Sequence, residues 1–405
     1  MTSIQFKIAN YLPKSFIIIE GKKESHNFYI IRSGNVRLMK ENPVVSEDLN
    51  PVLGPGDFFG VISCMSINSR IETAVSLSNT SLISVERDQF GTLIQRNPAV
   101  ALKIIRFFSK KLRIFNDAIT RLTLMTSAGE NPEHLYNIGE YYLNKKVRNH
   151  SVYAYQRYLQ YCPKGGQRDK AISRLKALKA PLATNAQPSK ELTRTYQDNV
   201  MIFCEHEPGN ELYIIQSGKV KITKIVDEEV LLAVLNPGDI FGEMALLDNK
   251  PRSASAITFG DAILLVINKE NFEGMVHAKP QMATKLIQLL SERIWTAYRQ
   301  LENLMIKDPI GRIYDTLLLQ LEKQKIKIEP KKNHTFDFGT NELLKMVGIP
   351  GSKGKEIIIN LLKDKYFSLE NGKILCLDTE ELEKTVHFFK KKAILERKRE
   401  ASKTI

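Results

Sequence analysis

NFYIIRSGNVRL, residues 27–38, returns as ELYIIQSGKVKI at 211–222, an offset of 184 residues. GPGDFFG (54–60) is answered by NPGDIFG (236–242), SRIETA (69–74) by PRSASA (251–256) and NPAVALKII (97–105) by KPQMATKLI (279–287), each at an offset of 182. A nearly constant offset over so long a stretch means two copies of one domain. Within each copy, short apolar runs such as Tyr213-Ile214-Ile215 and Val220-Lys221-Ile222 are broken by Gly218, Pro237 and Gly238, which is strand-and-turn chemistry. Each copy then runs into a long helix opened by a proline, Pro98 or Pro280. Ile105, Phe108, Leu112, Phe115, Ile119 and Leu122 form an a/d heptad stripe on the first, and Ile287, Leu290, Ile294, Ala297, Leu301 and Leu304 on the second. Such a stripe is either the core-facing side of a helix or a helix-to-helix seam, and both readings stay open.

At 405 residues the chain is too long for one hydrophobic core. With 43% hydrophobic and 26% charged residues it has the balance of a folded globular protein. It has no apolar run of about 18 residues and no signal-peptide pattern at its start, so a cytoplasmic location without a membrane partner is expected. Cys64, Cys162, Cys204 and Cys376 are widely separated and lie outside any zinc-type spacing, which argues against disulfides, metal and iron–sulfur clusters. The net charge is +14, but residues 201–305 carry 10 Lys/Arg against 14 Asp/Glu, while the segments on either side are basic. Basic flanks suit a polyanionic partner such as DNA.

The segment with chemistry to offer is Phe241-Gly-Glu-Met-Ala-Leu-Leu-Asp-Asn-Lys-Pro-Arg-Ser-Ala254. A glycine turn enters a short helix whose backbone N–H groups can receive a phosphate. Arg252 adds a planar donor fork for bidentate phosphate recognition, and Glu243 a carboxylate able to accept from a ribose hydroxyl. The alternative is a surface loop whose Glu243 and Arg252 pair with each other. In the first copy the segment reads Phe59-Gly-Val-Ile-Ser-Cys-Met-Ser-Ile-Asn-Ser-Arg-Ile-Glu72. There Val61 replaces the acceptor, Ile71 replaces Ser253, and Glu72 sets a negative charge beside any phosphate. Arg70 is expected to pair with Glu72 or another carboxylate.

Both copies resemble the cyclic-nucleotide-binding β-roll and dimerisation helix of the catabolite-activator (Crp/Fnr-type) family of bacterial transcription regulators. With the C-terminus described below, the resemblance covers about three quarters of the chain. It implies an α+β multidomain fold: two cyclic-nucleotide-binding β-rolls of double-stranded β-helix (jelly-roll) type, each with a long C-terminal helix, an α-helical linker, and a winged helix-turn-helix. It further implies that Gly242 and Glu243 hold the 2′-hydroxyl, and Arg252 and Ser253 the cyclic phosphate, of a cyclic nucleotide acting as effector, cAMP ahead of cGMP. The family reaches the base from its dimerisation helix, where this chain has Thr296, Ala297 and Tyr298. The first copy is expected to bind no nucleotide.

Between the copies, Leu135, Ile138, Gly139, Tyr142, Tyr155, Tyr158 and Pro163 follow a spacing that resembles a single tetratricopeptide repeat, capped by a helix over 168–180. One such unit cannot bury its apolar face alone, so it packs on a β-roll or on another subunit. After Asp308 comes an amphipathic helix to about Lys323, then a short helix from Thr340, a second helix from Ser352 to Leu362, and a hairpin over 367–376 with an Asn371-Gly372 turn. This resembles the family's winged helix. Its reading helix offers Ser352 and Glu356 to bases and Lys353 and Lys355 to phosphates, but no arginine for guanine, and Gly354 costs roughly 1 kcal/mol of helix propensity.

The expected division is a degenerate copy at 1–125, a helical unit at 126–180, a linker at 181–190, an intact copy at 191–305, a winged-helix domain at 306–386 and a solvated basic tail at 387–405. No P-loop, nucleophile–His set or metal cluster marks an enzyme. Two functions fit: a cyclic-nucleotide-responsive transcription regulator that binds double-stranded DNA, or a cyclic-nucleotide-sensing scaffold or regulatory subunit that acts on a protein. Phe108 and Phe115 complement Leu290 and Ala297, which favours an intramolecular pseudo-dimer over a homodimer.

Overall fold

The computed structural model describes the backbone at 6–23, 25–41, 43–44, 51–124, 133–182, 192–225, 228–248, 250–347, 349 and 351–401. The chain divides into two compact units. One comprises Met1–Asp88, Phe115–Met125 and Ser291–Ile405, the other Gln89–Ile114 and Thr126–Leu290. These units cut through both long helices, Pro98–Leu124 and Pro280–Leu304.

In the first unit the first copy forms two four-stranded antiparallel sheets. One runs Lys7–Tyr11, Thr80–Glu86, Asn27–Ser33, Phe58–Phe59; the other runs Phe16–Ile18, Thr73–Ser76, Val36–Met39, Val52–Leu53. Strand alternation sends Tyr29, Ile31, Val36, Phe59, Ala74 and Leu82 into the core between them. In the second unit the second copy builds its roll around Glu211–Ile225 and Ser255–Asn268, two long strands that pair with each other and bend through register shifts. The repeat extends to the register. Tyr29 stands opposite Phe59 and Ser84, and Tyr213 opposite Phe241 and Val266, the same positions at the same offsets. The Tyr29–Phe59 and Tyr213–Phe241 rings stack with centroids 5.3 and 5.2 Å apart.

Three helices, His134–Asn144, Arg148–Tyr161 and Arg168–Ala177, follow the first copy. Gly139 lets the first two approach closely, since a Cβ there would lie 2.5 Å from the Tyr155 ring. Their aromatic stripe (Tyr136, Tyr142, Tyr155, Tyr158) is core, and it continues into Met201, Cys204 and Ile257 of the second roll. Of the two packings open to this unit, the one on a β-roll is therefore seen.

The elements after Asp308 are a helix Pro309–Lys323, a strand His334–Thr335, helices Thr340–Val347 and Gly351–Lys363, a hairpin Phe367–Glu370 and Lys373–Cys376, and a helix Thr379–Ala401. Asp308 caps the first of these through the Ile310 N–H, with Pro309 in the first turn. Gly354 has a packing reason: a Cβ there would overlap the Leu344 side chain of the neighbouring helix. The basic tail extends the helix Thr379–Ala401, and it departs from expectation in having a packed side. Phe389 stacks on Tyr314, and Ala393 is buried.

A buried charge cluster ties the second long helix to this module. Arg299 donates to Glu302 (2.8 Å), Asp315 (3.0 Å) and Glu322 (3.1 Å); Asn303 Nδ2 donates to Asp315 (3.0 Å), and Lys390 reaches Glu302 at 3.0 Å. Burial works against a charge on Asp315, yet Arg299 and Lys390 hold its carboxyl below the usual carboxylate range.

Candidate functional site

The turn at Gly242 (φ 75°) leads into the helix Glu243–Asp248, as Gly60 (φ 76°) leads into Val61–Ser66 in the first copy. Both turns require the left-handed region open to glycine. Each is locked by the copy's arginine. Arg252 Nη1 donates to the Gly242 carbonyl at 2.6 Å and Arg70 Nη1 to the Gly60 carbonyl at 3.1 Å. The arginine backbones are held alike: Arg252 accepts from the His206 N–H and donates to the Glu207 carbonyl, and Arg70 accepts from Gly21 and donates to Lys22.

Beyond this shared frame the sites diverge. Arg252 is 5% exposed and lies over the Phe203 ring, 4.1 Å from its centroid. Gly209 makes room for it, since a Cβ there would overlap the guanidinium. Arg252 Nε is buried without a hydrogen-bond partner among the described residues, a donor that an anion would satisfy. Glu243 is 1% exposed at the head of the helix, and among the described residues Ser253 Oγ makes only a weak contact of 3.9 Å with Met244 Sδ. The set of donors and acceptors suits a phosphate next to a ribose.

In the first copy both terminal nitrogens of Arg70 are engaged. Nη2 donates to the Asn27 carbonyl (2.7 Å) and Asn27 Oδ1 (3.2 Å), while Glu72 accepts the Gly60 N–H at 3.2 Å. Among the described residues Asn27 and the Gly60 carbonyl accept from Arg70, and the Glu72 carboxylate lies close enough to attract its charge. Val61 and Ile71 are buried at the positions of Glu243 and Ser253.

Carboxylates back the second-copy site. Burial pushes Glu207 up, against Arg157 at 3.5 Å, and Tyr153 Oη donates to it at 3.0 Å, so the linker helix Arg148–Tyr161 forms the wall behind Arg252. Burial also opposes charge on Glu211, but the hydrogen bonds from Arg194 and Tyr213 hold it below the usual range. Burial raises Glu205 to about 7, with one oxygen accepting the Ile225 N–H and the other buried without a partner among the described residues. A folded-state pKa above the ordinary value means that stability present in acid is lost as pH rises from about 4.5 through 7. Glu205→Gln keeps the acceptor without the charge. In urea titrations it is expected to stabilise the chain by about 1–3 kcal/mol at pH 8 and little at pH 4.5; equal effects at both pH values would refute this.

Thr296, Ala297 and Tyr298 belong to the compact unit that holds the first roll. The residues of this helix from Ser291 on are grouped with the first roll. There Tyr298 Oη donates to Glu20 (3.1 Å), Lys40 lies over its ring, and Phe115 packs against it at 6.2 Å. The second copy's segment is touched instead by the first long helix: Arg113 Nη1 donates to the Pro251 carbonyl at 3.2 Å. At the equivalent place Trp295 Nε1 donates to the Ser69 carbonyl, also at 3.2 Å. In the sequence Arg113 shows only as a charge flanking the heptad stripe.

In the C-terminal module, Lys355 and Glu356 are exposed on helix Gly351–Lys363, while the side chains of Ser352 and Lys353 lie outside the described residues. The same helix exposes Ile359, Asn360 and Lys363, which the sequence reading passed over.

The family model of the cyclic nucleotide-binding domain matches twice, at residues 8–97 and 193–279, together under half of the chain. The CRP-like cAMP-activated global transcriptional regulator of Mycobacterium tuberculosis is 28% identical over 183 residues, 45% of this chain and 82% of that protein. The Cyclic AMP receptor protein of Thermus thermophilus is 36% identical over 132 residues, 32% of this chain and 61% of its own length. A cAMP-dependent protein kinase regulatory subunit of Yarrowia lipolytica is 23% identical over 274 residues, 66% of this chain and 55% of that one. No helix among the described residues is long and apolar enough to cross a membrane. The two β-rolls of this chain are thus tandem members of the cyclic nucleotide-binding domain family.

Proposed function

We propose that the chain is a transcription regulator of the catabolite-activator type, a binding protein rather than an enzyme, whose effector is a cyclic nucleotide, cAMP ahead of cGMP. The ligand sits in the second roll: Glu243 accepts from the ribose, and Arg252 and Ser253 donate to the phosphate. The observation that carries this reading is the contrast between two equivalent arginines. Arg252 keeps a buried donor without a partner, whereas Arg70 meets Asn27 and the Gly60 carbonyl. The first roll is then a structural partner without ligand. The helix, strand, two helices and hairpin after Asp308 have the element order of a winged helix, and Lys355, Glu356, Ile359, Asn360 and Lys363 give it an outward face for double-stranded DNA. The long helices pair within one chain, on the evidence of Phe115 against Tyr298, as an internal pseudo-dimer.

A second reading, a regulatory subunit acting on a protein, draws on the similarity to the Yarrowia kinase subunit across both rolls. Selection from a random-sequence duplex pool by the full chain separates the two. Enrichment of a sequence that depends on cAMP or cGMP is expected. Retention of no duplex, with either nucleotide or without, would overturn the DNA-binding reading in favour of the protein partner.

A further inference from the structure

We propose that the vestigial nucleotide segment of the first roll has a second function, as the docking site that holds the C-terminal module through charge contacts that salt can release. The segment's helix, Val61–Ser66, is buried at all six positions and ends in a left-handed residue, Ile67 (φ 58°), which leaves carbonyls at its C-terminal end. Into that end projects Lys325, from the turn after helix Pro309–Lys323. Its Nζ donates to the Ser66 carbonyl and to Asn68 Oδ1, both at 2.8 Å. A cation at the carbonyl end of a helix is the favourable arrangement. A second contact joins Lys23 to Glu383 of the last helix at 3.0 Å. Behind the segment, the Trp295 indole holds Ser69.

The second copy could not play this part. Its residue equivalent to Asn68 is Lys250. Lys250 would repel an incoming ammonium. The first copy's departures from the nucleotide segment therefore coincide with a partner for Lys325 at Asn68. The strengths also differ in a useful way. The Arg299–Asp315 cluster is buried and stays closed, whereas Lys325 is exposed and Lys23 is 70% exposed. Exposed pairs are weak and screened by salt. The module is thus permanently joined to the second long helix and reversibly rested on the first roll, whatever macromolecule it binds.

Hydrogen exchange on the full chain tests this without nucleotide or DNA. Raising salt from 50 mM to 1 M on the unmodified protein, or Lys325→Ala, is expected to speed exchange about two- to fivefold in 61–69 and 324–332, the size such pairs support. Fluorescence of Trp295, the only tryptophan of the chain, should shift in parallel. Lys23→Glu and Glu383→Lys should each loosen the same segments, and the double swap should restore protection. Exchange unchanged by salt and by Lys325→Ala, or a double swap no better protected than the single variants, would overturn the proposal.

Discussion

Arg252→Ala is expected to lower cyclic-nucleotide affinity by tenfold to more than a hundredfold. Each charge-assisted hydrogen bond to the phosphate is worth roughly 1.5–3 kcal/mol, and an arginine fork supplies up to two. The substitution also takes the guanidinium off the Phe203 ring and leaves the Gly242 carbonyl without its donor, so the turn that presents Glu243 loosens. Calorimetry with cAMP and with cGMP checks the effect, and the unmodified chain should bind one nucleotide per chain. Binding that survives Arg252→Ala unchanged, or two equivalent sites per chain, would refute the assignment of the ligand to the second roll. Loss of heat together with loss of helical circular dichroism would instead indicate unfolding, and Arg252→Lys, which keeps a charge but not the fork, then serves as the milder probe.

Arg299→Met is expected to destabilise the unit holding the C-terminal module by about 3–5 kcal/mol, because removing one member of a buried charge cluster leaves the others uncompensated. Asp315 is fully buried, and Arg299 meets three carboxylates at 2.8, 3.0 and 3.1 Å. Lys390 and Asn303 remain as partners, so the loss should sit toward the lower end of that range. Urea unfolding of the full chain measures it. The double variant Arg299→Met/Asp315→Leu should recover part of the loss, as apolar replacement of buried ion pairs often does. A cost under about 1 kcal/mol for the single change would mean that the cluster is solvated in solution and not a rigid joint. The cluster lies where the second long helix meets the C-terminal module.

The sequence alone determined whatever local chemistry decides. Two-residue alternation around Tyr29 and Tyr213, glycines at the left-handed turns, and prolines at the helix starts placed both rolls and both long helices; the departures Val61, Ile71 and Glu72 marked the first copy as the degenerate one. Tertiary structure alone decided which helix faces which roll. Tyr298 bonds to Glu20 of the first roll, and Arg113 to the second-copy segment, pairings that no local pattern carries. The bond from Arg70 to Asn27, 43 residues away, was also beyond local reading. Gly354 looked like a helix defect until Leu344 was seen against it, and the last helix looked solvated until Tyr314 was found stacked on Phe389. The Arg299–Asp315 cluster and the Lys325–Ser66 contact leave no periodic trace, since a charge in sequence reads the same whether it meets water or a buried partner. Burial and pairing are set by chain segments far apart, and only the packed structure brings them together.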